Sequence, residues 1–359
     1  TLEEGMRGQR AVDWRLIDEI APRSKYEGAV EARAAAAVAA SSRPPEGQGI
    51  TLSPLQRSID GDSITYSAVS MEIDRSARTA TIHVQAPTDM PPSDGDGIQA
   101  LGADFWSLRL ARELDDAILH LRTNENEIGT WLFQTSGDGD LVAAHDAALA
   151  ANQDHWLVRE ITLYLKRTLK RIDVTSRSIF AMIEPASCFT GTLLELALAA
   201  DRGYMLDGQF EGDNRPPATV SLTAMNFGPY QMVNGLTRLQ SRFLDDEATV
   251  TELAQRQGEA MEALDAEKAG LVTFAPDDID WQDEVRIAIE ERAAFSPDAL
   301  TGMEANLRFG GPETMESKIF SRLSAWQNWI FQRPNAVGEM GALPLYGSGQ
   351  RSEFDKRRV

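Results

Sequence analysis

Short apolar runs, separated by polar turns and two helical patterns, lead up to one segment that is apolar almost throughout. Residues Ile64 to Val69 and Thr79 to Val84 alternate apolar and polar side chains, the period-two pattern of half-buried strands, with Asp74-Arg75-Ser76 as a turn between them. Thr130 to Thr135 reads as a further, buried strand. Leu108, Ala111, Leu114, Ala117, Ile118 and Leu121 recur at helical spacing and predict a helix over Phe105 to Leu121. A second helix is predicted from Trp156 to Leu169. The apolar segment follows, around Phe180 to Met205. In it, Ile179 to Ile183 reads as a buried strand stopped by Pro185, and Leu193 to Ala200 as a helix that is apolar apart from Glu195. A helix apolar on nearly every face is a buried helix. Gly203, just past its end, is the expected C-cap.

The junction of that strand and helix carries the candidate chemistry. A sharp turn into a buried helix leaves free backbone N–H groups at the helix N-terminus, around Gly191 and Thr192. Helped by the helix dipole, such groups can hold a negative oxygen. Glu195 lies about one turn further in. An ionised carboxylate in an apolar helix is costly unless paired, so Glu195 is either satisfied structurally or held for acid–base work.

Charge and composition narrow the field. The 359 residues carry a formal charge of −20 and no basic patch interleaved with aromatics, which argues against nucleic acid and against an anionic membrane surface. A single cysteine, Cys188, excludes a disulfide framework. His83, His120, His145 and His155 lack ligand spacing and read as surface or capping residues. Asp138-Gly139-Asp140 reads as a solvated turn, since the ligand pattern of a calcium loop is absent. No metal site is expected. No run approaches membrane-spanning length and no secretory signal is visible, so a soluble cytoplasmic protein is expected. Lys166, Arg167, Lys170 and Arg171 form the densest positive cluster. Its default reading is a solvated helix face; the alternative is a seat for phosphates.

Two distant stretches of the chain echo each other. Gly8 to Ile20, then Pro22, leads to the helix Ala29-Val30-Glu31-Ala32-Arg33-Ala34-Ala35. Ala266 to Val272, then Pro276, leads to Ala288-Ile289-Glu290-Glu291-Arg292-Ala293-Ala294, identical at five of those seven positions. The shared order of helix, short strand, proline and helix predicts an internal repeat. Ser41 to Gly49 has the composition of a linker. The aromatic residues Trp326, Trp329 and Phe331 give the tail a surface that must pack on something.

Glu195-Leu196-Ala197-Leu198-Ala199-Ala200-Asp201, entered from a strand through Gly191-Thr192-Leu193, resembles the crotonase (enoyl-CoA hydratase/isomerase) superfamily. The resemblance implies an α/β fold, the crotonase-like (ClpP/crotonase) spiral of β-β-α units with C-terminal helices. It implies that the Thr192 N–H, beside Gly191, holds an oxyanion and that Glu195 occupies an acid–base position. A further oxyanion donor is expected at Ala144, within Leu141-Val142-Ala143-Ala144-His145-Asp146. The substrate implied is a coenzyme A thioester, with no bound cofactor, and Lys166, Arg167, Lys170 and Arg171 become candidates for the CoA phosphates. Residues 1–42 then resemble the end of a first crotonase-like domain, 43–49 a linker, 50–318 a second such domain, and 319–359 a helical, aromatic tail for docking or for association into a homodimer. Hydratases carry a second glutamate in the region that here reads Thr219 to Asn226, without a carboxylate. The Ile183-to-Leu196 loop, the Trp14-to-Glu19 corner and Trp326 to Gly338 together resemble the ring-opening lyases of benzoyl-CoA breakdown within that superfamily. Two other readings stay open: a generic hydratase or isomerase, and a non-catalytic support or dimerisation domain.

Overall fold

The alternating runs form one seven-stranded sheet in the computed structural model, which describes residues 5–43, 46–47, 49–311 and 313–357. The chain divides into two compact units, Thr1–Ile50 and Thr51–Val359. Of the expected linker 43–49, Pro44, Pro45 and Gln48 lie outside the described residues, as do Thr1 to Glu4 of the segment 1–42. The first unit holds two helices, α1 (Gln9–Asp13) and α2 (Tyr26–Ala40). The sheet belongs to the second.

Four antiparallel strands open the sheet: β1 (Ser58–Asp60), β2 (Ser63–Thr65), β3 (Val69–Asp74) and β4 (Thr79–Gln85). Three parallel strands extend it: β5 (Thr130–Ser136), β6 (Ser178–Ile183) and β7 (Arg202–Met205). The strand expected over 64–69 is instead two, because the chain reverses at Tyr66-Ser67-Ala68. Nothing in those three residues signals a turn; a distant carboxylate makes it. Glu113, buried, accepts from the N–H groups of Ser67, Ala68 and Val69 at 3.3, 2.7 and 3.1 Å. The turn at Asp74 was local and legible: its Oδ1 accepts from the N–H groups of Ser76 and Ala77 at 2.8 and 2.9 Å.

Parallel neighbours require crossovers, and helices supply them. Helices α3 (Gly95–Leu101) and α4 (Trp106–Asn124) join β4 to β5. Helices α5 (Gly139–Ala151) and α6 (Trp156–Asp173) join β5 to β6, and α7 (Gly191–Leu198) joins β6 to β7. The expected C-cap Gly203 lies within β7, because the chain re-enters the sheet four residues after α7 ends. Before the tail come α8 (Arg238–Arg242), α9 (Glu247–Gln255), α10 (Ala263–Lys268), α11 (Trp281–Ala294) and α12 (Pro297–Leu307). Trp281 and Ala288 of α11 pack on Phe180, Met182, Tyr204 and Leu206. The tail docks on its own unit. Ile330 lies against Gly302, where an added Cβ would meet its Cδ1 at 2.7 Å, and Asn335 donates to Asp298 at 2.9 Å.

The echo between the two stretches is a backbone repeat. In the first unit Trp14 N–H bonds to Arg10 O, Arg15 to Val12 and Leu16 to Ala11; in the second, Ala269 bonds to Asp265, Gly270 to Glu267 and Leu271 to Ala266. Leu271 less Leu16 is 255, and so is the start of α11 at Trp281 less that of α2 at Tyr26. The five-of-seven match of the alanine-rich helices sits at 259, so it is one helical turn out of the structural register. Arg15 and Gly270 both adopt left-handed φ, 56° and 71°. Only the latter is held to glycine by packing, with the Phe243 ring 2.8 Å from the place of a Cβ.

The two copies differ in what they meet. In the second, Thr273 and Phe274 donate to Gly203 O at 2.9 and 3.0 Å, and Phe274 O accepts from Met205. In the first, Leu16, Ile17, Ile20, Tyr26 and Val30 are exposed, and no strand forms at 16–20. A strand exists only by pairing, and among the described residues the N–H groups of 17–21 make no backbone hydrogen bond. Amides 17–20 are therefore expected to exchange with solvent at least about a thousandfold faster than those of Ile179 to Ile183. Comparable protection in a hydrogen-exchange measurement would show that the first unit is covered.

Candidate functional site

All eight residues of α7 are buried. Burying Leu193, Leu194, Leu196 and Leu198 contributes on the order of 6–12 kcal/mol of apolar transfer. That is enough to carry a helix with a charged group in its middle, provided that group and both helix ends find partners.

The N-terminal end finds Asp146 of α5. Gly191 stands at φ 46°, and a Cβ there would lie 1.8 Å from Asp146 Oδ2, so the carboxylate fills the space of the missing side chain. Thr192 N–H donates to Oδ2 at 2.8 Å, the Thr192 hydroxyl donates to Oδ1, and the Thr223 hydroxyl donates to Oδ2 at 2.7 Å. Tyr230 OH lies 3.0 Å from the Thr192 hydroxyl. Gly191 N–H bonds to Ser221 O at 2.9 Å. The Thr192 N–H, expected to hold an oxyanion, thus donates to Asp146, and the Gly191 N–H beside it to a backbone carbonyl. Residues 141–146 are helical, and Ala144 lies beyond the first turn of α5, past its free N–H groups. Burial pushes the Asp146 carboxyl from 3.8 up to about 6, against the hydrogen bonds from Thr192 and Thr223.

The middle of α7 finds a cation. Glu195 Oε2 accepts from Arg238 Nη1 at 2.7 Å, and Oε1 accepts from Asn226 Nδ2 at 2.8 Å. Arg238 also donates through Nη2 and Nε to Asp173 at 2.7 and 3.2 Å, and these three charged side chains are at most 1% exposed. Burial pushes the Glu195 carboxyl up, opposed by Arg238 and Asn226. Both oxygens of Glu195 are engaged and sealed from solvent. The C-terminal end of α7 finds Arg308, the C-cap of α12, which donates to Ala199 O at 2.6 Å and to Asp201 at 2.8 Å. A cation there suits the helix dipole.

The positive cluster on α6 is partly committed. Arg167 and Arg171 both face Asp115 of α4, at 3.5 and 2.5 Å, and Lys166 reaches Gln231 at 3.3 Å. His145 departs from its expected surface place: it is buried between Phe105 and Trp106, and burial lowers its pKa. His155 caps α6 as expected of a capping histidine. Burial pushes the Cys188 thiol up to about 11. Sequence reasoning missed Asp146, Asp173, Asn226 and Arg238 as a set. The available signal was Glu195 itself, a carboxylate in an apolar helix that is costly unless paired.

The chain is 53% identical over all its 359 residues to a benzoyl-CoA-dihydrodiol lyase of Aromatoleum evansii, and spans 64% of that protein's length. Among solved structures it is similar to an enoyl-CoA hydratase/isomerase from Marinobacter aquaeolei, at 16% identity, TM-score 0.55, over 80% of this chain and 98% of that one. It is likewise similar to an enoyl-CoA hydratase from Bacillus anthracis, at 14% identity, TM-score 0.55, over 81% and 100%. The fold is therefore crotonase-like, as the motif implied. No protein-family model matches.

Two predictions follow from the site's electrostatics. Between pH 3.8 and about 6 the folded chain keeps a proton on Asp146 that the unfolded chain has released. This group's contribution is then complete below about pH 4 and falls by about 3 kcal/mol as pH rises to 6. The melting temperature of Asp146→Asn minus that of the wild type should increase over this range; a constant difference would mean an ordinary carboxyl. Arg238→Met strands two buried carboxylates and should lose about 3–5 kcal/mol in urea titration. A loss below about 1 kcal/mol would equate the pair with exposed ones.

Proposed function

From a crotonase-like chain similar throughout to a benzoyl-CoA-dihydrodiol lyase, we propose that this chain is part of such a ring-opening lyase, with the main catalytic half lying outside it and this part in a supporting role. The reaction assigned to the whole protein is opening of the ring of 2,3-epoxy-2,3-dihydrobenzoyl-CoA. Two waters are consumed, and the products are 3,4-dehydroadipyl-CoA semialdehyde and formate. The substrate is a CoA thioester, and the assembly a cytoplasmic homodimer. Residues 1–42 close a first crotonase-like domain, and that domain supplies the acid–base pair.

One observation carries the supporting role: Asp146 occupies the N-terminus of α7, where the fold would otherwise hold the thioester oxygen. A carboxylate already there repels an enolate or oxyanion and uses the donors it would need. Asn226 adds to this. It stands in the region where hydratases carry their second glutamate, and it is bonded to Glu195 and Gly191 O.

The test is Glu195→Gln in a protein carrying this chain together with the remaining third of the relative's length. Formate release should stay within about threefold of wild type, while the melting temperature falls. A true general acid or base supplies about 10²–10⁴-fold. A rate loss of about a hundredfold with unchanged melting would instead place catalysis at Glu195.

A further inference from the structure

At the far end of α7 from Asp146 lies a cavity of about 340 Å³, between that helix, α8, α11 and α12. Ligand pockets start at about 300 Å³, so its size suits a small molecule. Four arginines line it: Arg238, Arg242, Arg292 and Arg308. In a chain of formal charge −20, this convergence needs a reason.

The carboxylates at hand do not supply it. Arg238 is taken by Glu195 and Asp173, and Arg308 by Asp201 and Glu304. Even so, Arg308 Nε is buried without a hydrogen-bond partner. Arg242 donates its Nε to Gly270 O at 2.5 Å and, among the described residues, makes no ion pair. Burial works against its charge, yet a guanidinium keeps its proton. Arg292 makes neither a hydrogen bond nor an ion pair among the described residues. The wall of the cavity also carries Asp173, Asp201 and Glu304, all three paired with Arg238 or Arg308, so two of its guanidinium groups make no ion pair among the described residues and a third has a donor to spare. Leu198, Met232, Met303 and Leu307 give it an apolar wall.

We propose that this cavity binds a small oxyanion, a phosphate or a carboxylate, clamped by Arg242 and Arg292. The planar forks of two arginines can each take two oxygens of one such group, and charge-assisted bonds of this kind are the strong ones. The apolar wall accommodates a short organic body attached to the anion. The clamp uses neither the α7 N-terminus nor Glu195, although Arg238, the partner of Glu195, borders the cavity.

Calorimetric titration of the full chain with sodium phosphate and, separately, sodium butyrate tests this, against sodium chloride at equal ionic strength. At least one probe should saturate, and Arg292→Gln should weaken it at least about tenfold. Arg242→Met should do the same. If that variant does not fold, Arg292→Gln, on the outer helix α11, decides. Saturation by phosphate alone assigns the site to phosphate groups, and by butyrate alone to carboxylates with an apolar body. No saturation beyond the chloride control, or unchanged binding in Arg292→Gln, overturns the proposal.

Discussion

The contact of Arg238 with Glu195 and Asp173 is the constraint on which the second unit's core rests. It ties α6, α7 and α8 together at a point that water does not reach. Such a contact adds little net stability over a well-packed apolar alternative, because taking the charges from water costs nearly what their attraction returns. Its effect is on alternatives. Any packing that separates these helices leaves a naked charge inside the protein, so one arrangement is selected. Asp146 and Arg308 extend the same logic to the two ends of α7, each with the sign that its end of the helix dipole favours.

The internal repeat shows how much local structure owes to its surroundings. The same corner, with the same three backbone hydrogen bonds, occurs twice. Where a sheet edge is present, at β7, the segment after the corner bonds to it and the next helix buries an aromatic residue, Trp281. In the first unit the matching Tyr26 is exposed, and the segment stays irregular. The helix and its left-handed stop are written locally; the strand is a property of the pair.

That division also explains what could be read beforehand. Periodicity placed β4, β5, β6 and α4 to within a few residues, because their apolar positions recur along the chain. The β2–β3 reversal escaped, since its cause is Glu113, some 45 residues away. The resemblance implied an oxyanion donor at Ala144, where an alanine-rich run forms α5. Glu195 was legible as a group in need of a partner. Which partner was not legible, as Arg238, Asn226 and Asp173 are scattered over 66 positions and meet only through the fold.

The Gly191–Asp146 contact can also be seen as a receptor with its ligand built in. A carboxylate on a flexible tether competes at an effective concentration of about millimolar, and one delivered by a rigid helix at far more. A free acyl oxygen, uncharged in its ground state, has no means of displacing it. The N-terminus of α7 thus retains an anion site in every physical respect, permanently saturated from within. A helix N-terminus of this kind becomes a structural joint without any change of fold, once a side chain is long enough to reach it.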